Sequence, residues 1–206
     1  MGAFGTTKRS STRTGTSCAP SVTQPACAKN ALHSNTSEAE AEYKAALKLS
    51  PQYPAAAVNL SDLYRQLGRD SDGERVLRGA IVASPRDGGV HHALGLTLVR
   101  LNRHDEALDE FRKAIELEPH QARYAYVYAV GLHSSGRQSE AMIVLKENLS
   151  RHPGDRDTLL ALVSFSQEAG DLNAALKYAE KLAEIEPTNQ DLANLVQELR
   201  RQNEKP

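Results

Sequence analysis

The stretch that decides the architecture is residues 88–121, GGVHHALGLTLVRLNRHDEALDEFRKAIELEPHQ. Leu94, Leu98 and Leu101 recur at helical spacing before Asn102, and Ala107, Phe111, Ala114 and Ile115 recur after it. Two amphipathic helices with one break between them make a hairpin. Asn102 tolerates the left-handed backbone that ends a helix. Pro119 lacks an amide donor and disfavours helix at Glu118, so it fixes where the second helix stops.

Outward from this stretch, the same marks return at a constant step of 34 residues. Pro51, Pro85, Pro119, Pro153 and Pro187 form one series, and Gly68, Asn102, Gly136 and Gly170 a second. Ala39, Gly73, Ala107, Ala141 and Ala175 form a third, where a small residue lets the second helix approach its partner. A 34-residue period means stacked helical hairpins. Each hairpin has an apolar face that it cannot bury alone, so neighbours must stack. The expected fold is all-α: a right-handed α-solenoid of antiparallel helical hairpins, about four and a half repeats plus a C-terminal capping helix.

Pro51 as a closing residue places full repeats at 54–87, 88–121, 122–155 and 156–189. Residues 37–53 read as a half repeat, with Tyr43 and Ala46 on a second helix opened by Ser37 and Glu40 as a capping box. Residues 190–206 read as a capping helix and tail. Leu192, Leu195, Val196 and Leu199 lie on one side of it, with Glu198, Arg200, Arg201 and Gln202 mostly on the other. Residues 1–36 read as a disordered Ser/Thr-rich segment, native or a truncated or misread start. They carry Lys8, Arg9, Arg13 and Lys29, no acid, and too little apolar surface to offset chain entropy.

The whole chain has 206 residues and a net charge of −1 from 25 basic and 26 acidic side chains. That balance argues against nucleic acid as a partner and against a polybasic membrane-surface role. No apolar run reaches the length of a membrane span or a secretory signal, so membrane insertion is not expected; the sequence leaves the compartment unknown, the bacterial cytoplasm being the expectation. Two cysteines are too few for a disulfide scaffold.

No G-x-S-x-G, phosphate loop, H-E-x-x-H or nucleotide-binding glycine pattern occurs, so no catalytic residue and no cofactor are expected. Metal ligation is not expected either. His91 and His92 are adjacent and point to different helix faces, and Cys18, Cys27 and His33 lack zinc spacing. Asp70-Ser71-Asp72-Gly73 reads as an acidic turn.

The pattern resembles the tetratricopeptide repeat family, whose motif is W-x2-L-G-x2-Y, then A, then A-x3-F, with a closing P. Repeat 88–121 carries it in Leu94-Gly95, Ala107, Phe111, Ala114 and Pro119; repeat 54–87 carries it in Leu60, Tyr64, Leu77, Ala80 and Pro85. The motif's Trp position holds Ala57, His91, Ala125 and Leu159 instead. Asn148 replaces a small alanine and needs a hydrogen-bonding partner in the seam. Stretches such as RYAYVYAVGLHSSGR also resemble the repeat tails of some bacterial multihaem c-type cytochromes. Those attach haem through C-x-x-C-H, which this chain lacks, so that resemblance implies no redox activity here.

The tetratricopeptide resemblance implies that a second row on each first helix lines a concave groove where extended peptides or helices bind. The row, with Asn59 beside it, holds Val58, Asp62 and Arg65; His92, Leu96 and Val99; Arg123, Tyr126, Val130 and His133; and Leu160 and Ser164. Packing between successive first helices is the alternative for each of them. Asn59, Arg65, His92, Arg123 and His133 are the candidates for contacts with a partner's backbone or termini. A chaperone-type carboxylate clamp is not expected, because Gly89 and Ala93 stand where its Lys and Arg belong.

The function expected is a non-catalytic scaffold that binds a peptide or protein segment in the groove. The alternative is an accessory or regulatory segment of an enzyme or electron-transfer complex whose chemistry lies on another chain. The half repeat leaves Ala39, Tyr43, Ala46 and Leu47 without a partner helix. Either a homodimer about a two-fold axis covers that end, or residues around Ala31 and Leu32 fold back as a cap.

Overall fold

The computed structural model describes residues 25–204. By backbone proximity the chain divides into Met1–Ser37 and Glu38–Pro206. Residues 1–24 of the expected disordered segment lie outside the described residues, whereas the backbone is helical from Pro25, within α1 (Pro25–Leu49). Because α1 runs through Ser37, no helix starts there, and the expected capping box is corrected. Glu40 spends its carboxylate elsewhere: Lys44 Nζ (2.6 Å), Arg69 Nη1 (2.8 Å) and Tyr64 Oη (2.9 Å) all donate to it. Those donors, Lys44 foremost, hold its carboxyl down at about 2.

The second unit continues as helical hairpins. These are α2 (Pro54–Gln66) with α3 (Asp70–Ala83), α4 (Gly88–Arg100) with α5 (His104–Leu117), α6 (Ala122–Ser134) with α7 (Gln138–Arg151), and α8 (Arg156–Glu168) with α9 (Leu172–Ile185). The last helix, α10 (Gln190–Asn203), lies on α9. Together these hairpins form a right-handed α-solenoid, and no strand occurs among the described residues.

The turn inside each hairpin is set by one residue. Gly68, Asn102, Gly136 and Gly170 have φ of 70°, 59°, 78° and 76°, the left-handed conformation that reverses the chain after a helix. The next amide then reaches back to the last turn, as from Arg103 N to Leu98 O (2.9 Å) and from Arg137 N to Leu132 O (2.9 Å). Ala107, Ala141 and Ala175 are buried where the two helices of a hairpin cross. Leu77, Leu94, Leu98 and Phe111 form one core cluster; Leu132, Leu145 and Leu162 belong to the next. Val196 and Leu199 of α10 close the final hairpin over Ala175 and Ala179.

Asn148 finds its partners: the buried amide donates to Thr158 Oγ1 (2.7 Å) and Ala122 O (3.1 Å), tying α7 to the starts of α6 and α8. A second set of ties links successive hairpin turns. Arg69 bridges Asp72 (2.7 Å) and Glu40 (2.8 Å); one step later Arg103 bridges Glu106 (2.6 Å) and Glu74 (2.7 Å). At the following step Leu108 stands in the place of Glu40 and Glu74. Arg137 there pairs with Glu140 alone among the described residues.

Ala39, Tyr43 and Leu47, expected to lie open at the N-terminal end, pack against Leu60, Leu63 and Tyr64 of α2. A helix can use such residues sideways, against the following hairpin, as well as against a partner of its own. The open patch is therefore smaller than the sequence implies.

Candidate binding groove

Successive first helices approach one another, α2 with α4 and α6 with α8, more than successive second helices do. The crowded helices of a curved stack lie on its inside, so α2, α4, α6 and α8 line the concave face. Between α4 and α6 the approach is looser. Two cavities open there.

The first, about 670 Å³, runs across α2, α4 and α6 and is lined by Val58, Asp62, Arg65, His92, Leu96, Val99 and Arg123 of the expected row. Arg65 is engaged by Asp62 (3.1 Å), and Arg100 by both oxygens of Asp70 (2.6 and 3.1 Å). Arg123 has no ion-pair partner among the described residues and leaves a positive charge facing the cavity. His92 is 8% exposed, stacked on Tyr124 (4.5 Å between ring centres) and tilted against Phe111 (5.6 Å). Among the described residues, neither of its ring nitrogens has a hydrogen-bonding partner. Burial, reinforced by the Arg123 charge, pushes the imidazole down from its ordinary 6.5 to about 4.

The second cavity, about 490 Å³, is walled by Leu96 and Val99 of α4, Leu108 and Phe111 of α5, and Val130 and Gly131 of α6. Leu96 and Val99 are each 38% exposed and form the wall shared with the first cavity.

The remaining row members are placed elsewhere. His133 stacks on Phe165 of α8 (3.7 Å, 11°) with Nε2 3.2 Å from Glu168, so it joins two first helices. Tyr126 is half-buried against the cluster of α6, α7 and α8, and Leu160 against the one holding Leu159 and Leu182. Ser164 donates to Glu168 (3.3 Å) at the surface, and Asn59 is exposed and lines neither cavity. His91, set aside as a metal ligand by its spacing, is a buried strut: Nδ1 meets Glu110 Oε2 (2.5 Å) and Nε2 meets Pro85 O (3.2 Å). Among the described residues, no group of three His, Cys, Asp or Glu is placed to hold a metal, and no helix is long and apolar enough to cross a membrane.

Tyr124, Arg100 and Gly131 belong to the site and were not expected. The signal lies in comparing each register across repeats. Tyr124 stands in step with Ala56, Val90 and Thr158, and Gly131 with Leu63, Thr97 and Phe165.

Comparison with known proteins places this geometry. Tetratricopeptide repeat profiles match residues 32–96 and 88–121. A curated relative, the mouse (Mus musculus) interferon-induced protein with tetratricopeptide repeats 3, is 24% identical over 132 residues, 63% of this chain; the chain spans 33% of that relative's length. Among solved structures, MamA superposes with a TM-score of 0.66 at 21% identity, covering 81% of this chain and 98% of MamA. YrrB, described as a TPR protein with an unusual peptide-binding site, gives 0.61 at 20% identity, covering 80% and 85%. PilF of Pseudomonas aeruginosa gives 0.64 at 17% identity, covering 77% and 72%. Residues 32–121 of this chain match the tetratricopeptide repeat, and the hairpins that follow them continue the same solenoid.

Proposed function

We propose that the protein is a non-catalytic interaction scaffold that binds an extended peptide or protein segment along its concave face. The observation that carries this reading is the 670 Å³ cavity across α2, α4 and α6, where Val58, Leu96 and Val99 supply apolar wall and Arg123 has no ion-pair partner among the described residues. A site of that kind offers apolar area for affinity and a cation for orientation. The relationship to YrrB, whose description names a peptide-binding site, supports the same class of function. Membership of an enzyme or electron-transfer assembly is the variant in which the bound segment belongs to a catalytic subunit. It would engage the same groove.

Self-association through the N-terminal end would use a small apolar surface. Tyr43 and Leu47 are half-buried on α2, while Leu49 of α1 is 87% exposed.

Selection from a random peptide library on the full chain tests the scaffold reading. Selected peptides should lose most of their affinity on Arg123→Ala, with helicity unchanged by circular dichroism. Peptides that bind Arg123→Ala and Leu96→Ala as tightly as the wild type would move the binding surface off this face.

A further inference from the structure

One register on the solenoid is left vacant, and its neighbour shows what belongs there. In the repeat that follows, the equivalent cavity is lined by His133, Gln138, Met142, Phe165, Glu168 and Ala169. Each of these lies 34 residues after a wall of the 490 Å³ cavity: Val99, His104, Leu108, Gly131, Ser134 and Ser135. The two cavities are the same feature of the fold seen twice. In the later one Phe165 projects its ring onto His133, and about 140 Å³ remains. In the earlier one the position is Gly131, and about 490 Å³ stands open.

Two neighbouring registers keep it open. Tyr124 replaces the small residues at its register and stacks on His92 between α4 and α6. Leu108 replaces the acid that ties the preceding turns together, and contributes an apolar wall instead. A protein that merely tolerated a void here would be expected to close it, since unfilled apolar space costs stability.

The occupant follows from the walls and from the charge beside them. Resting on the scaffold reading above, we infer that this cavity receives a phenylalanine-type side chain of an extended peptide. A carboxylate of the same peptide meets Arg123. Phe165 is the internal template for the ring, and Leu96 and Val99 continue from the cavity into the groove that Arg123 faces. Arg123 lies eight residues before Gly131 on α6, about 12 Å at 1.5 Å per residue. An extended chain covers that distance in about four residues at roughly 3.3 Å each. The ligand pattern is therefore an aromatic and an acidic residue about four positions apart.

The test is an NMR titration of the isotopically labelled full chain with the blocked peptide Phe-Ala-Ala-Ala-Glu and its Phe→Ala and Glu→Gln versions. Amide shifts should centre on Val99, Leu108 and Gly131, with affinity falling by roughly tenfold or more without the ring. The Glu→Gln peptide should bind more weakly to wild type, and equally to wild type and Arg123→Gln. Gly131→Phe, which fills the cavity from within, should lose the peptide while remaining helical.

Equal binding of the Phe and Ala peptides, or undiminished binding by folded Gly131→Phe, would overturn the inference. The peptide comparison needs no protein variant, so it decides even if Gly131→Phe fails to fold. If library-selected peptides bind the concave face while the Phe peptides do not, the cavity assignment fails and the scaffold reading stands. If no peptide of either kind binds, both fall.

Discussion

His92 makes the clearest quantitative prediction, because its environment accepts only the neutral ring. The imidazole is buried between Tyr124 and Phe111, its nitrogens have no partner among the described residues, and Arg123 adds a like charge nearby. The unfolded chain takes up a proton near pH 6.5, whereas the folded chain resists until about pH 4. The unfolded state therefore binds more protons in that window. Stability from His92 is complete above pH 6.5 and is lost as the pH falls toward 4. At 1.36 kcal/mol per pH unit, the loss is about 3 kcal/mol across the window, a large share of a typical domain's stability.

The perturbation is His92→Phe, which keeps an aromatic face for Tyr124 and Phe111 but neither titrates nor buries polar nitrogens. Urea unfolding of wild type and variant, followed by circular dichroism from about pH 7.5 to 4.5, isolates the effect. Asp62, Arg65, Arg100, Arg123 and Tyr124, the ionisable groups around the cavity, are common to both proteins and cancel in the difference. Near neutrality the variant should match or exceed the wild type, since two unpartnered polar atoms have been removed. By pH 4.5 it should be the more stable by about 2 kcal/mol. Parallel curves over the whole range would refute the reasoning, and would mean that His92 meets water or a partner in solution.

Three further outcomes are expected. Gly79→Ala should stabilise by about 0.5–1 kcal/mol, since nothing lies within 4 Å of the added Cβ on an exposed helix. Gly95→Ala should destabilise by about 1–3 kcal/mol, because its Cβ would fall 2.5 Å from Phe111 Cε1 inside the core; paired thermal melts read both signs. Asn148→Ala should cost about 1–3 kcal/mol in chemical unfolding, for the loss of a buried amide that serves Thr158 and Ala122 together. Self-association through the N-terminal end predicts a light-scattering mass that rises with concentration and returns to 22.5 kDa on Leu49→Glu; a constant 22.5 kDa for the wild type removes it.

The hairpins were legible because their punctuation is local chemistry. A glycine or Asn102 after a first helix, and a proline after a second, restrict the backbone wherever they occur, and the positive φ values fall on those residues. The need of Asn148 for a partner was legible too, because a buried amide cannot go unpaired cheaply. Ser37 and Glu40 misled: their spacing fits a cap, but Glu40 gains more from three donors, two of them on α2 and the following turn. The Arg69 and Arg103 bridges are not legible from charge alone, because charged turn residues are a solvated surface by default. Their 34-residue step was present in the sequence all along.

The groove was legible as a row but not as a site, and the reason lies in how a solenoid uses that row. Each first helix presents it both to solvent and to the first helices on either side, so spacing alone cannot separate a ligand wall from an interhelical contact. Bulk decides, and bulk must be judged across three helices. Where the row meets a large neighbour, as His133 meets Phe165, the side chain is consumed in stacking. Where the neighbouring register is Gly131, Leu96 and Val99 have no such side chain opposite them and stay 38% exposed. The open apolar space of this face is thus concentrated between α4 and α6, where the repeat is least regular. Gly131→Phe, which restores regularity there, should blunt the groove once Leu108, 3.0 Å from the new Cβ, gives way to the ring.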